Sequence, residues 1–311
     1  MSAEANPAKP PPALPRGTRP SWPAILYAVG AIVMFVVMAI CIRALADRLP
    51  AGDITFYRTF FGLLLMLPFV LGRGPSNARR LLATRKLGLL MLRAVLTYTA
   101  VLSYFYAVTK IPLAEAIALN STLPIFMTAM AAAMLGERVG PRRWLAVVVG
   151  FGGALVILRP GFAEVSWPAL ASFASAALYA AAAIDVKILA RTEPPARIVF
   201  YMNLLVTVLA AGPFLVEFAP PLWSDLPYIL AIGGAGTIAH LFQSNALKRA
   251  DASFVAPFDF LRLPLAAIAG FMLFDDKPGL WVWAGAALIF ASAFWIARRE
   301  GARKRMPQPS S

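Results

Sequence analysis

The residues best placed to do chemistry are an acid and a base inside an apolar run. Asp259 and Arg262 interrupt the stretch Ala252–Phe274, which is otherwise apolar over a membrane-crossing length. Their spacing of three puts them on one face of a helix, where they can pair. A lone charge at the centre of a membrane helix costs about 2.5–3.5 kcal/mol, so a paired acid and base belong at a protein interior or a wet cavity. Pro257 and Pro264 lie in the same run; each removes a backbone donor and frees the carbonyl four residues earlier, at Ser253 and Phe260. A kinked helix with unpaired acceptors is therefore expected. Two chemistries fit the pair: binding or gating of a charged ligand, or an ion pair that locks this helix to a neighbour.

The elements that would hold these residues are membrane spans. The 311 residues are 60% hydrophobic and 14% charged, with mean hydropathy +0.71. That apolar content excludes a soluble globule and implies an all-α integral membrane protein. Apolar runs bounded by Pro, Gly and basic clusters predict ten spans, near 23–42, 54–72, 87–108, 112–135, 143–159, 168–189, 198–217, 227–246, 252–274 and 279–297. A net charge of +14 would suggest nucleic acid in a soluble chain, but here Lys and Arg divide by side, 21 against 5, with Arg58, Arg93 and Arg262 inside spans. This positive-inside bias puts both termini in the cytoplasm and makes the bilayer, not nucleic acid, the partner. Residues 1–22 form a proline-rich disordered tail with no cleavable signal, residues 298–311 a basic tail, and 73–86 a candidate amphipathic surface helix. Cys41, the single cysteine, excludes an internal disulfide and reads as a packing residue.

A duplication organises the spans. Ser21-Trp22-Pro23-Ala24 recurs as Ser166-Trp167-Pro168-Ala169, and Ala107, Trp144, Ala154, Ile157 and Arg159 recur as Ala246, Trp283, Ala293, Ile296 and Arg298. Repeats at 23–159 and 166–297, of five spans each, enter the membrane from opposite sides and leave a substrate site near the midplane between them. The same offset relates Asn120 to Asp259 and Leu123 to Arg262. Asn120-Ser121-Thr122-Leu123-Pro124 is thus a second interrupted, polar stretch, and such paired interruptions mark transporter sites. Back-bonding within the helix accounts for Ser121 or Thr122 better than for Asn120.

Further candidates fall on stripes. Arg93, Thr97, Ala100 and Tyr104 share one helix face, as do Thr237, His240 and Ser244 with Gln243 beside them. Tyr179, midway along the sixth span, offers an aromatic wall, with packing as the plain alternative. His240 reads either as a hydrogen-bonding or proton-linked group or as an interhelical contact. Arg93, on a stripe that could face the cavity, reads as a snorkelling or a ligand-binding residue, and Arg58 is equally shallow from the outer side; Asp185 and Lys187 lie near a hydrated helix end, and Glu115 in a first turn where the dipole favours a carboxylate. There is no phosphate-binding loop or nucleophile elbow, and one His with one Cys excludes most metal and haem sites, so neither cofactor nor metal is expected.

Tyr104-Phe105-Tyr106-Ala107, Pro112-Leu113-Ala114-Glu115-Ala116, Leu135-Gly136-Glu137-Arg138, Trp144 and Gly150-Phe151-Gly152-Gly153 resemble the EamA repeat of the drug/metabolite transporter superfamily, and Ala246 to Arg299 is similar. The resemblance implies a ten-helix secondary carrier of the bacterial inner membrane, working by alternating access and not as an enzyme. Arg262-Leu263-Pro264 and Trp281-Val282-Trp283-Ala284-Gly285 look most like members that import riboflavin or S-adenosylmethionine; other relatives export amino acids. Where that family's second repeat has Gly-Glu, this chain has Asp275-Asp276. The expected site is Asp259, Arg262, Asn120, Tyr104, His240, Gln243 and Tyr179, taking a small-molecule substrate; proton or exchange coupling and oligomeric state stay open. A non-transporting membrane protein with a dry core, or a lipid enzyme using His240, are the alternatives.

Overall fold

The computed structural model describes residues 22–46, 48–71, 82–108, 110, 116, 119–137, 139–158, 166–216, 218–274, 280–281, 283–285, 287–288 and 291–292. No strand occurs among them. The helices are α1 (Trp22–Ala46), α2 (Ala51–Leu71), α3 (Leu87–Val108), α4 (Leu123–Leu135), α5 (Pro141–Leu158), α6 (Trp167–Leu189), α7 (Pro195–Val216), α8 (Leu226–Arg249), α9 (Ala252–Val255) and α10 (Arg262–Phe274). Tight 3-10 turns at Trp223–Asp225 and Ala256–Leu261 precede α8 and α10. Among the described residues, six stretches are long and apolar enough to cross a membrane: α1, Leu87–Ala107, α6, α7, Trp223–Arg249 and Ala256–Leu273. Helices α2 and α5 lie where spans were expected, and the last apolar stretch is described only in part. The tails, residues 72–81, Glu115 and Asp275-Asp276 lie outside the described residues, and Ala83–Lys86 of the expected surface helix is not helical.

The repeated tetrapeptide is a helix start. Ser166 is the N-cap of α6, its Oγ accepting the Ala169 N–H at 3.4 Å, while Pro168 sits in the first turn where no donor is missed. At the far end of α4, Gly136 takes φ +62° and sends its N–H to the Ala131 carbonyl, a left-handed stop that suits glycine.

Packing runs between the halves. The most extensive contacts join α1 to α8 and α3 to α6, followed by α2 to α7. Under the sequence duplication α1 corresponds to α6 and α3 to α8, so the first two contacts are one pairing made twice. Helices α2 and α8 approach most closely where side chains vanish. A Cβ on Gly233 would fall 2.8 Å from Phe61 Cβ, and one on Gly62 would fall 2.5 Å from Thr237 Oγ1. Asn203 Nδ2 donates to Thr237 Oγ1 at 3.1 Å and ties α7 into the same crossing. Small residues serve here because lipid offers no hydrophobic drive, and close backbone approach is what binds membrane helices.

The ends are held by polar ties. At one end Arg48 pairs with Asp225 at 2.8 Å, and Asp53 Oδ2 accepts the Ala219 N–H at 2.9 Å. At the other, Glu137 Oε1 accepts the Ala252 N–H at 2.9 Å, and Lys187 Nζ donates to the Leu247 carbonyl at 2.8 Å and to that of Ala250. Lys187 thus caps the last carbonyls of α8, where its charge also favours the helix dipole.

Gly233→Leu should therefore lower stability by about 1–3 kcal/mol through overpacking at the α2–α8 crossing. Gly88→Leu, where a Cβ meets nothing within 4 Å, should change it by less than about 0.5 kcal/mol. Thermal unfolding in detergent compares the two.

Candidate functional site

Asp259 and Arg262 stand at a break, not a simple kink. Pro257 cannot donate to the Ser253 carbonyl nor Pro264 to that of Phe260, so the α-ladder fails on both sides of Asp259. The chain tightens into the 3-10 turn Ala256–Leu261 before α10 restarts at Arg262. Side chains three apart eclipse in such a turn. Arg262 Nη2 accordingly meets Asp259 Oδ1 at 2.9 Å, with the two side chains 30% and 18% exposed. The pair is thus only partly enclosed.

The second interruption falls at the equivalent place. Leu119 and Asn120 are helical, Ser121 and Thr122 form a turn, and α4 restarts at Leu123 with Pro124 in its first turn. Both restarted helices are 13 residues long, and their first residues, Leu123 and Arg262, are partners in the duplication. Helix α4 packs directly against the 3-10 turn. Thr122 Oγ1 back-bonds to the Leu119 carbonyl at 2.7 Å, whereas Asn120 Nδ2 reaches across to Ser175 Oγ at 3.2 Å. Ser175 in turn donates to the Ala100 carbonyl at 2.7 Å, so α4, α6 and α3 meet through one hydroxyl. Tyr179 lies one turn beyond Ser175 on the same face of α6.

Aromatic and cationic groups fill the middle. The Arg262 guanidinium carbon stands 4.8 Å from the centre of the Phe35 ring, and Phe35 meets His240 edge to face at 5.1 Å. This row joins α10, α1 and α8. Tyr104 and Tyr179, each half-buried, lie in the field of Arg262. His240 is buried, and Gln243, one turn on along α8, is its polar neighbour. Asp259, Arg262, Phe35 and His240 thus form one connected row, with Tyr104 and Tyr179 within electrostatic reach of Arg262 and Asn120 tied to Ser175.

Three expectations change. Arg93 does not snorkel: it is 2% exposed, donating to the Ala182 carbonyl and Met202 Sδ, both at 3.4 Å. Asp185 is not hydrated either; it is buried, neither oxygen finds a hydrogen bond among the described residues, and its charge acts on Arg93. Arg58, 7% exposed, likewise points inward. Depth along the helix misplaced all three, because register decides which way a side chain points. Arg58 shares a stripe with buried Ile54 and with Gly62, four residues to either side, and that stripe was the available signal. Phe35 and Ser175 carried no signal, since their roles come from partners far along the chain.

A profile of the EamA-like transporter family matches residues 22–159 and again 166–298. A riboflavin transporter of Rhizobium johnstonii is 35% identical over 91% of this chain and 93% of its own length. One of Brucella anthropi is 34% identical over 83% and 91%. A solved crystal structure superposes with a TM-score of 0.75 over 91% of this chain and 99% of that one, at 22% identity, and supports the fold alone.

Asp259→Asn should cost about 1–2 kcal/mol, between the exposed and buried limits for ion pairs, because Arg262 loses its counter-charge. Adding Arg262→Gln should restore part of the loss. Melting temperatures of the two single variants and the double variant read this coupling.

Proposed function

The chain belongs to the EamA-like transporter family, and we propose that it is a secondary carrier working by alternating access on a flat, riboflavin-like molecule. It is a multi-pass membrane protein and a transporter rather than an enzyme. In this reading ten spans cross the bacterial inner membrane as two inverted repeats with both termini cytoplasmic, and the substrate sits between the repeats. The observation that carries the reading is the Arg262–Asp259 pair at 2.9 Å, partly exposed at a helix break that the other repeat matches at Asn120–Leu123. Interrupted helices at equivalent positions expose backbone and side-chain polar groups where a substrate can reach them.

Each residue then has a task. Tyr104 and Tyr179 offer aromatic faces to a planar ring, worth about 0.5–1.5 kcal/mol beyond area burial for a good pair. Arg262 turns from Asp259 to the polar edge of the substrate, so binding loosens the link between α10 and the turn before it. His240, Gln243 and Asn120 complete the polar lining. The names of the two riboflavin transporters support the planar substrate; the aromatic lining supports it independently.

Purified protein in proteoliposomes should take up labelled riboflavin and exchange it against unlabelled riboflavin. Tyr179→Ala should raise the KM about tenfold, by loss of about 1.4 kcal/mol of binding, and Arg262→Ala should reduce transport to background. Uptake of S-adenosylmethionine instead of riboflavin would replace the flat-ring substrate with a cationic one facing Asp259. A reporter active only in the cytoplasm, fused after Ser311, should be active; silence would reverse the orientation.

A further inference from the structure

Arg58 has no counter-charge that the described residues supply. It is 7% exposed, and its Nη2 is buried with no hydrogen-bond partner there. Its Nη1 reaches only the Met38 sulfur, at 3.9 Å. The stem lies against α8, where a Cβ on Gly236 would fall 3.5 Å from Arg58 Cγ; a larger residue there would displace the guanidinium. The other two arginines have oxygen partners, Arg262 the Asp259 carboxylate and Arg93 the Ala182 carbonyl with the charge of Asp185 nearby, although the Nε of each is buried without a hydrogen bond among the described residues. Arg58 shares its surroundings with Tyr179 and His240, both of which lie in its field.

An unpaired guanidinium at this depth is expensive, by insertion scales and by the desolvation of its donors alike. A purely packing role would be filled more stably by methionine or leucine. The arrangement keeps guanidinium donors without an acceptor among the described residues, within electrostatic reach of Tyr179. Enclosure by α1 and α8 denies it to a lipid headgroup.

We propose that Arg58 binds an oxyanion, a carboxylate or phosphate, carried by the transported molecule, with Tyr179 beside its organic part. This rests on the carrier reading above and adds to it that, among flat-ring molecules, one bearing an oxyanion is preferred. Arg guanidinium suits this task because it stays charged and holds two oxygens at once.

Riboflavin and riboflavin 5′-phosphate differ only in the oxyanion and serve as the probe pair. Each is titrated into the full-length protein in a neutral detergent, following flavin fluorescence, for the wild type, Arg58→Lys and Arg58→Met. The phosphate ester should bind at least about tenfold tighter to the wild type, as a charge-assisted hydrogen bond implies. That preference should survive in part in Arg58→Lys and vanish in Arg58→Met. Unliganded Arg58→Met should also melt higher than the wild type, because an unpaired buried charge is gone; a structural arginine would do the reverse. Equal binding of the two flavins to the wild type, or a preference retained in Arg58→Met, overturns the proposal. If neither flavin binds, the flat-ring reading fails, and inorganic phosphate and succinate then decide this one. A wild-type melting shift with either that is absent in Arg58→Met supports it, and no shift overturns it. An equal Arg58-dependent shift with phosphatidylglycerol overturns it in favour of a lipid contact.

Discussion

Charge inside a bilayer has to be answered by something within reach, and the architecture of this chain is arranged around that constraint. The Arg262–Asp259 pair answers it locally, at 2.9 Å across a 3-10 turn. The turn exists because two prolines withhold the donors that would have closed an α-helix, and its threefold period stacks the two side chains in line. Remove the break and the pair would lie less squarely on one face. The break is thus both a weakness in the helix and the reason the charges meet.

Around it, the two halves are interleaved rather than placed side by side. Helix α1 leans on α8 and α6 on α3, so each half is built into the other, and α2 and α7 meet between them. Glycines at 62 and 233 permit this approach. Polar ties also hold both ends, where Arg48 meets Asp225 and Lys187 caps α8.

Much of this could be read from the chain itself. Span positions follow from apolar length, which a bilayer dictates directly. The pairing of Asp259 with Arg262 and the second break at Asn120–Pro124 were legible because proline, charge and helical spacing act locally. Arg58, Arg93 and Asp185 were misread for one physical reason. Distance from a helix end says how far a charge must reach to water, but not which face it leaves from, and all three leave from the buried face. The row Arg262–Phe35–His240 was beyond reach for a different reason: it joins three helices whose relation exists only in the packed bundle.

In the proposed carrier, the surroundings of Arg262 and Asp259 open to each side of the membrane in turn. Gln243, half-buried one turn from His240, provides a reporter once Cys41 is replaced by serine. In oriented vesicles, Gln243→Cys should be modified by a membrane-impermeant thiol reagent applied from either side, with riboflavin slowing both reactions. Modification from neither side would mean a closed, dry bundle, and modification from one side only, unaffected by any ligand, would mean a dead-end pocket; either result contradicts the account.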